Sequence, residues 1–198
     1  MTHTDDYNRT ALYLAASHGY ADIVELLLRV DTKAIGKPTE VADFGSDHPL
    51  TGEQQGWTPL HACVSSGSIP CIELLAKFGQ FVNALDSHGR TPLHLAVLKQ
   101  NRPAMAALLD QSADINFNSF LLLKDVCDMY VDKLKAPKRG EKPLVQELLD
   151  RGCNPNAVEN NCKKGTTVLH YAAKEKRVVF MRAMISYGAN LFMPDKVR

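Results

Sequence analysis

The sequence predicts an all-α fold, a solenoid of stacked helix-turn-helix units with projecting β-turns and two long loop insertions. Three observations predict it. A four-residue template recurs as Thr10-Ala-Leu-Tyr13, Thr58-Pro-Leu-His61, Thr91-Pro-Leu-His94 and Thr167-Val-Leu-His170. Each copy is followed by a small pair: Ala15-Ala16, Cys63-Val64, Ala96-Val97 and Ala172-Ala173. An apolar helical segment then follows in each, Ile23 to Leu28, Cys71 to Leu75, Met105 to Leu109 and Phe180 to Ile185. Self-similarity at a fixed period is the signature of a repeat architecture, and it overrides local readings.

The spacing supports each unit in turn. Thr10 to Thr58 is 48 residues, a period of 33 with an insertion of 15. Thr58 to Thr91 is 33, and Thr91 to Thr167 is 76, two periods with 10 extra residues. A degenerate unit must therefore lie between Thr91 and Thr167. Pro59 and Pro92 suit a first helical turn, where a missing N–H costs nothing. Thr58 and Thr91 before them can offer a hydroxyl to the free amides. An imidazole at His61, His94 or His170 can bond the same threonine or nearby backbone. Gly19 and Gly67 break the chain between two helices, and Gly79, Gly152 and Gly188 can cap the second helix. In the degenerate unit, Leu123 takes the motif leucine position and Val126-Cys127 the small pair, which leaves its turn three residues short. Its second helix reads clearly as Pro143 to Gly152.

These residues resemble the ankyrin repeat, and the resemblance runs over 5–191 as one domain. It implies repeats at about 5–35, 53–85, 86–118, 119–157 and 162–191, with insertions at about 36–52 and 133–142. One unit cannot bury both of its faces, so stacking is required. The last helix, Val178 to Tyr187, is apolar at eight of ten positions, which predicts cover from polypeptide beyond Arg198 or from a partner. Leu191, Phe192 and Met193 folding back as a lid is the alternative.

Composition excludes several functions. Of 198 residues, 45% are apolar and 23% charged, as in ordinary soluble domains, and a chain this long buries about 70% of its surface without staples. Lys and Arg total 23 against 22 Asp and Glu, so no basic surplus marks a nucleic-acid footprint. No apolar run exceeds six residues, too short for a membrane span. The start, Met1-Thr-His-Thr-Asp-Asp6, has no signal-peptide character, and five cysteines form no framework. Reduced thiols in the cytosol or nucleus follow.

No chemistry-bearing motif stands out. His61 and Cys63 are two apart, but the other histidines fall in different units, roughly 10 Å apart per unit by helix-packing distance. Zinc ligands must converge on one atom, so no metal is expected. Cys71 falls on an apolar face where burial keeps a thiol inert, and Cys162, beside Lys163 and Lys164, lacks a base. There is no phosphate-binding glycine loop. The expectation is therefore no enzyme, no catalytic residue, no cofactor and no small-molecule substrate.

The resemblance implies binding of another protein or peptide segment through turn tips and the concave first-helix face, as an adaptor or scaffold. Carried over position by position, the turn residues are Tyr7, Arg9, Gln54, Gln55, Trp57, His88, Arg90, Lys163 and Lys164. The first-helix residues are Ser17, His18, Ser65, Ser66, Leu98, Lys99, Lys174 and Glu175. Trp57 reads either as a partner anchor or as packing against the inserted loop, and Trp57 with Arg90 is expected to contribute to binding more than to stability. Asn83 and Asn116 resemble the turn asparagines that some ankyrin proteins offer to an asparaginyl hydroxylase. The alternative functions are a regulatory or docking domain of a larger enzyme, and an anion site on 133–142, whose five cations face one Glu141. That loop lacks aromatic interleaving, which argues against nucleic acid. The stretch from Gly36 to Gln55 is acidic by three charges.

Overall fold

The computed structural model describes residues 10–31, 56–78, 82–129, 142–159 and 165–194. Among them lie ten helices and no strand beyond one isolated bridge between Val158 and Thr167. The chain divides into two compact units, Met1–Asp114 and Ile115–Arg198.

The first unit holds six helices: α1 (Ala11–His18), α2 (Ala21–Asp31), α3 (Pro59–Ser66), α4 (Ile69–Lys77), α5 (Pro92–Leu98) and α6 (Arg102–Asp110). Helices of seven to eleven residues are too short to be stable alone, so packing must hold them. Helix α3 packs between α1 and α5, and α4 packs between α2 and α6, giving a layer of first helices and a layer of second helices. The small pairs make the close approach possible: Ala16, Cys63, Val64, Ala96 and Val97 are all fully buried. Leu60, Ile72, Leu75, Leu93, Met105 and Leu108 fill the space between the layers.

The recurring threonine and histidine set the helix starts. Thr58 Oγ1 accepts the His61 amide at 3.4 Å, and His61 Nδ1 accepts the Thr58 amide at 3.2 Å, a reciprocal cap. Thr91 with His94 and Thr167 with His170 repeat it. Tyr13 stands in the histidine position of α1, so Thr10 Oγ1 accepts the Tyr13 amide at 3.2 Å without the return bond. Gly67 ends α3 at φ 77°, a left-handed conformation that suits a residue without Cβ.

The second unit holds α7 (Ser119–Met129), α8 (Leu144–Asp150), α9 (Val168–Lys174) and α10 (Val178–Ser186). Helix α7 packs on α9 and α8 on α10. Without a threonine-proline start, α7 begins at Ser119, four residues before the motif leucine Leu123, where α3 begins one residue before Leu60. The added helical turn consumes what is a β-turn elsewhere. Leu123, Val126 and Cys127 are fully buried, as their motif positions require. On α10, Phe180, Ala183 and Met184 are buried, whereas Val178, Val179 and Ile185 are exposed. Leu191 and Phe192 are 56% and 89% exposed, so they form no lid over that helix.

Candidate functional site

The turn Asp86–Arg90 of the first unit is built around one carboxylate. Asp86 Oδ1 accepts the backbone N–H groups of His88 and Arg90, both at 2.9 Å. Its Oδ2 accepts Arg90 Nε and Nη2, both at 2.8 Å, and its side chain is fully buried. Gly89 closes the turn by donating to Asp86 O at 3.0 Å. The fixed turn then meets the preceding hairpin, where His61 Nε2 lies 3.1 Å from Arg90 O. Because Nδ1 already accepts the Thr58 amide, the proton sits on Nε2 and is donated to that carbonyl. Burial drives the His61 pKa down to about 4, against smaller opposing effects of the Arg90 carbonyl and Asp86. The imidazole is a neutral strut between hairpins.

Two sequence-based expectations change here. Trp57 is only 9% exposed and its Nε1 is buried without an acceptor among the described residues, so it is not a projecting anchor. Gly56, at φ 74°, lies so near the next turn that a Cβ there would meet Ser87 N at 2.7 Å. Arg90 is 17% exposed and clamps Asp86. The expectation that Trp57 and Arg90 can both be removed at little cost to stability is therefore corrected. His88 is left as the exposed tip of this turn, 4.0 Å from Asp86.

The first-helix positions of this unit form a row at the C-terminal ends of α1, α3 and α5. His18, Ser66 and Lys99 are exposed, and Ser17, Ser65 and Leu98 are half-buried. Several are already engaged. Ser17 Oγ donates to Leu14 O at 2.9 Å, and Ser66 Oγ donates to Cys63 O at 3.0 Å and to Ala16 O at 3.2 Å. His18 stacks on Tyr20 with ring centroids 5.5 Å apart. Lys99 is the cation this row presents.

In the second unit Lys174 is exposed and Glu175 half-buried at the end of α9. Sequence reasoning missed their neighbours. Tyr171 donates to Asp128 Oδ1 at 2.6 Å, Lys124 Nζ lies 3.4 Å from Asp128 Oδ2, and the same ammonium sits 5.1 Å from the Tyr171 ring centre. The bond to Asp128 raises the Tyr171 phenol well above its usual range. The i,i+4 spacing of Lys124 and Asp128 was the available signal.

Asn83 and Asn116 sit in structural roles. Asn83 Oδ1 accepts the Asp114 amide at 2.9 Å. Asn116 accepts the Asn154 amide at 2.8 Å and donates to Gly152 O at 3.1 Å. Asn156, which the sequence did not single out, accepts the Asn190 amide at 2.7 Å and donates to Gly188 O at 3.3 Å. The spacing of 33 and then 40 residues was its signal.

Tyr7, Arg9, Gln54, Gln55, Cys162, Lys163 and Lys164 lie outside the described residues, as does all of the basic loop except Lys142, which pairs with Asp150. Cys63, Cys71, Cys127 and Cys153 are buried free thiols. Desolvation raises Cys63 and pushes Cys127 and Cys153 up to about 12, the opposite of what a nucleophile needs. Among the described residues no group of three His, Cys, Asp or Glu could hold a metal, and no helix is long and apolar enough to cross a membrane.

Comparisons with known proteins agree with this geometry. The family model described as "Ankyrin repeats (3 copies)" matches residues 34–119, and the model "Ankyrin repeat" matches 7–37 and 164–196. Inversin of Canis lupus familiaris is 32% identical over 143 residues, covering 72% of this chain and 12% of that protein. The nuclear factor NF-kappa-B p105 subunit of Gallus gallus is 30% identical over 158 residues, covering 79% and 14%. Ankyrin repeat protein nuc-2 of Neurospora crassa is 26% identical over 204 residues, covering 91% and 18%. The chain thus spans less than a fifth of these relatives. The crystal structure of the ankyrin repeat domain of Bcl-3 superposes with a TM-score of 0.66 at 24% identity, covering 92% of this chain and 73% of that one. The chain belongs to the ankyrin-repeat family.

Proposed function

We propose that this chain is a non-catalytic protein–protein interaction module, an adaptor or scaffold that grips a partner protein or peptide with its turn tips and first-helix surfaces. Ankyrin repeats are in general such modules. The observation that carries the reading is the division of labour in the turn of the first unit. Asp86, Arg90 and His61 are consumed in holding the backbone, which leaves the His88 side chain exposed at the tip and the Lys99 side chain exposed along the first-helix row. A rigid frame with outward side chains suits recognition, because little ordering entropy is lost on binding. The buried, raised thiols support the non-catalytic part.

Cross-linking mass spectrometry of the native complex tests this reading. Cross-links from a partner to Lys99 and Lys174, weakened in the His88→Ala variant, which keeps both lysines, are the expected result. Cross-links confined to α2, α4 and α6 would place recognition on the other layer and overturn it.

A further inference from the structure

The second-helix layer of the first unit has a groove that the turn-tip reading leaves unused. It is a shallow, open depression of about 570 Å³ along the outer stripe of α4, where Pro70, Glu73, Leu74 and Lys77 follow at i, i+3, i+4 and i+7. Packing of α4 against both α2 and α6 leaves this stripe uncovered, with Pro70, Glu73 and Lys77 exposed and Leu74 half-buried. Ala21 of α2 joins Pro70 and Leu74 in an apolar floor, while Asp22 and Glu25 stand on the α2 wall.

The charges are unequal. Three carboxylates, of Asp22, Glu25 and Glu73, face one ammonium, of Lys77. Glu25 is satisfied by Arg29 at 2.6 Å, whereas Asp22, Glu73 and Lys77 have no ion-pair partner among the described residues. A chain whose net charge is +1 thus carries a locally acidic groove over an apolar floor. The carboxylates do not gather in the manner of a cation cage, since no such group of three occurs among the described residues.

We propose that this groove docks a cationic peptide segment of a partner protein, one in which lysine or arginine alternates with an aliphatic residue. The aliphatic side chain covers Leu74 and Pro70. The long apolar stems of the basic residues lie along the walls and bring their charged heads to Asp22 and Glu73, in charge-assisted hydrogen bonds. Lys77 repels a cation at its end of the stripe, which fixes the direction of the segment. An interface of this size is weak and salt-sensitive, suited to a second, tethering contact beside the turn-tip surface.

Fluorescence anisotropy of the intact chain with a labelled Leu-Arg-Leu-Arg-Leu-Arg peptide tests the proposal, with the Leu-Glu counterpart as control. Asp22→Asn with Glu73→Gln removes charge and keeps shape at exposed positions, so circular dichroism should be unchanged. The expected result is binding of the arginine peptide alone, weakened about tenfold or more in the double variant and strengthened by Lys77→Glu. His88→Ala with Lys99→Glu should leave this binding unaltered, which separates the groove from the turn-tip surface. No binding of the arginine peptide, equal binding of the glutamate peptide, or an unchanged affinity in the double variant would each overturn the proposal.

Discussion

The turn before α5 and the turn before α9 make the same kind of joint with different chemistry. In the first unit a fully buried carboxylate, Asp86, collects four hydrogen bonds, and a buried histidine, His61, ties the result to the preceding hairpin. In the second unit the joint between α8 and α10 includes Asn156, half-buried, which bonds Asn190 and Gly188, the Tyr187 hydroxyl donating to Asp150 Oδ1, and the bridge from Val158 to Thr167. The first arrangement concentrates its stabilisation in two ionisable groups removed from water. The second spreads it over solvent-facing hydrogen bonds of Asn156 and Asp150 that water can replace. The difference teaches that two hairpins of this repeat can be joined either by one buried carboxylate or by several bonds at the surface.

The sharpest way to break the comparison is to remove one member of each joint. Asp86→Ala removes the buried carboxylate that Arg90 clamps and takes the acceptor from two part-buried backbone amides. Removing one side of a buried pair costs about 3–5 kcal/mol, and the first unit should lose that much in urea unfolding. Asn156→Ala removes bonds that solvent can substitute, and should cost the second unit about 1 kcal/mol. Equal losses in the two variants would mean that burial does not distinguish the joints.

Acid should separate the units next. His61 is held neutral in the folded chain, with its pKa near 4 rather than 6.5. Its contribution is complete above pH 6.5, shrinks as pH falls below that value, and is lost by about pH 4. The unfolded chain takes up the proton first, so the full effect is on the order of 3 kcal/mol. Site-resolved amide exchange from pH 7 downward should therefore show α3 and α5 losing protection with a slope that His61→Asn removes. A slope unchanged in that variant would place the acid sensitivity in another group.

Much of this was legible from residue type and spacing. The threonine-to-histidine template marked the starts of α3, α5 and α9, because a capping threonine and a histidine three residues later satisfy local amides wherever they occur. The apolar segments located α2, α4, α6 and α10, since a core needs them at helical period. What was hidden depends on contacts between hairpins. The residues around Trp57 leave a partner anchor and packing both open, and only its burial decides against the projecting anchor. The register of α7 was legible from Leu123, Val126 and Cys127, while its start at Ser119 was not, because no threonine-proline pair marks it. At the candidate site, Asn83 and Asn116 were noticed for a possible modification, while their regular spacing with Asn156 encodes the staple. The Lys124–Asp128–Tyr171 cluster joins two helices, so only its i,i+4 half was visible locally.

The smallest expected effect comes from the position that ends each first helix, and it again sets hairpin against hairpin. Gly19 and Gly67 end α1 and α3 at φ 73° and 77°. The equivalent residues after α5 and α9 are Gln100 and Lys176, at φ 53° and 57°. The same backbone bonds form in both cases: Asn101 N reaches Ala96 O at 2.9 Å, and Arg177 N reaches Ala172 O at 2.8 Å. The left-handed conformation is therefore imposed by the helix end whatever the side chain. A residue with Cβ is penalised there by about 1–2 kcal/mol, while glycine gives back about 0.5–1 kcal/mol through its freer unfolded chain. Both side chains are exposed, so little packing is lost. Gln100→Gly and Lys176→Gly should each stabilise by about 0.5–1 kcal/mol, the first in the first unit and the second in the other. Denaturant midpoints read together with amide exchange would assign each gain to its unit. A loss of stability in either variant would show that its side chain holds that turn by a contact outweighing the backbone strain.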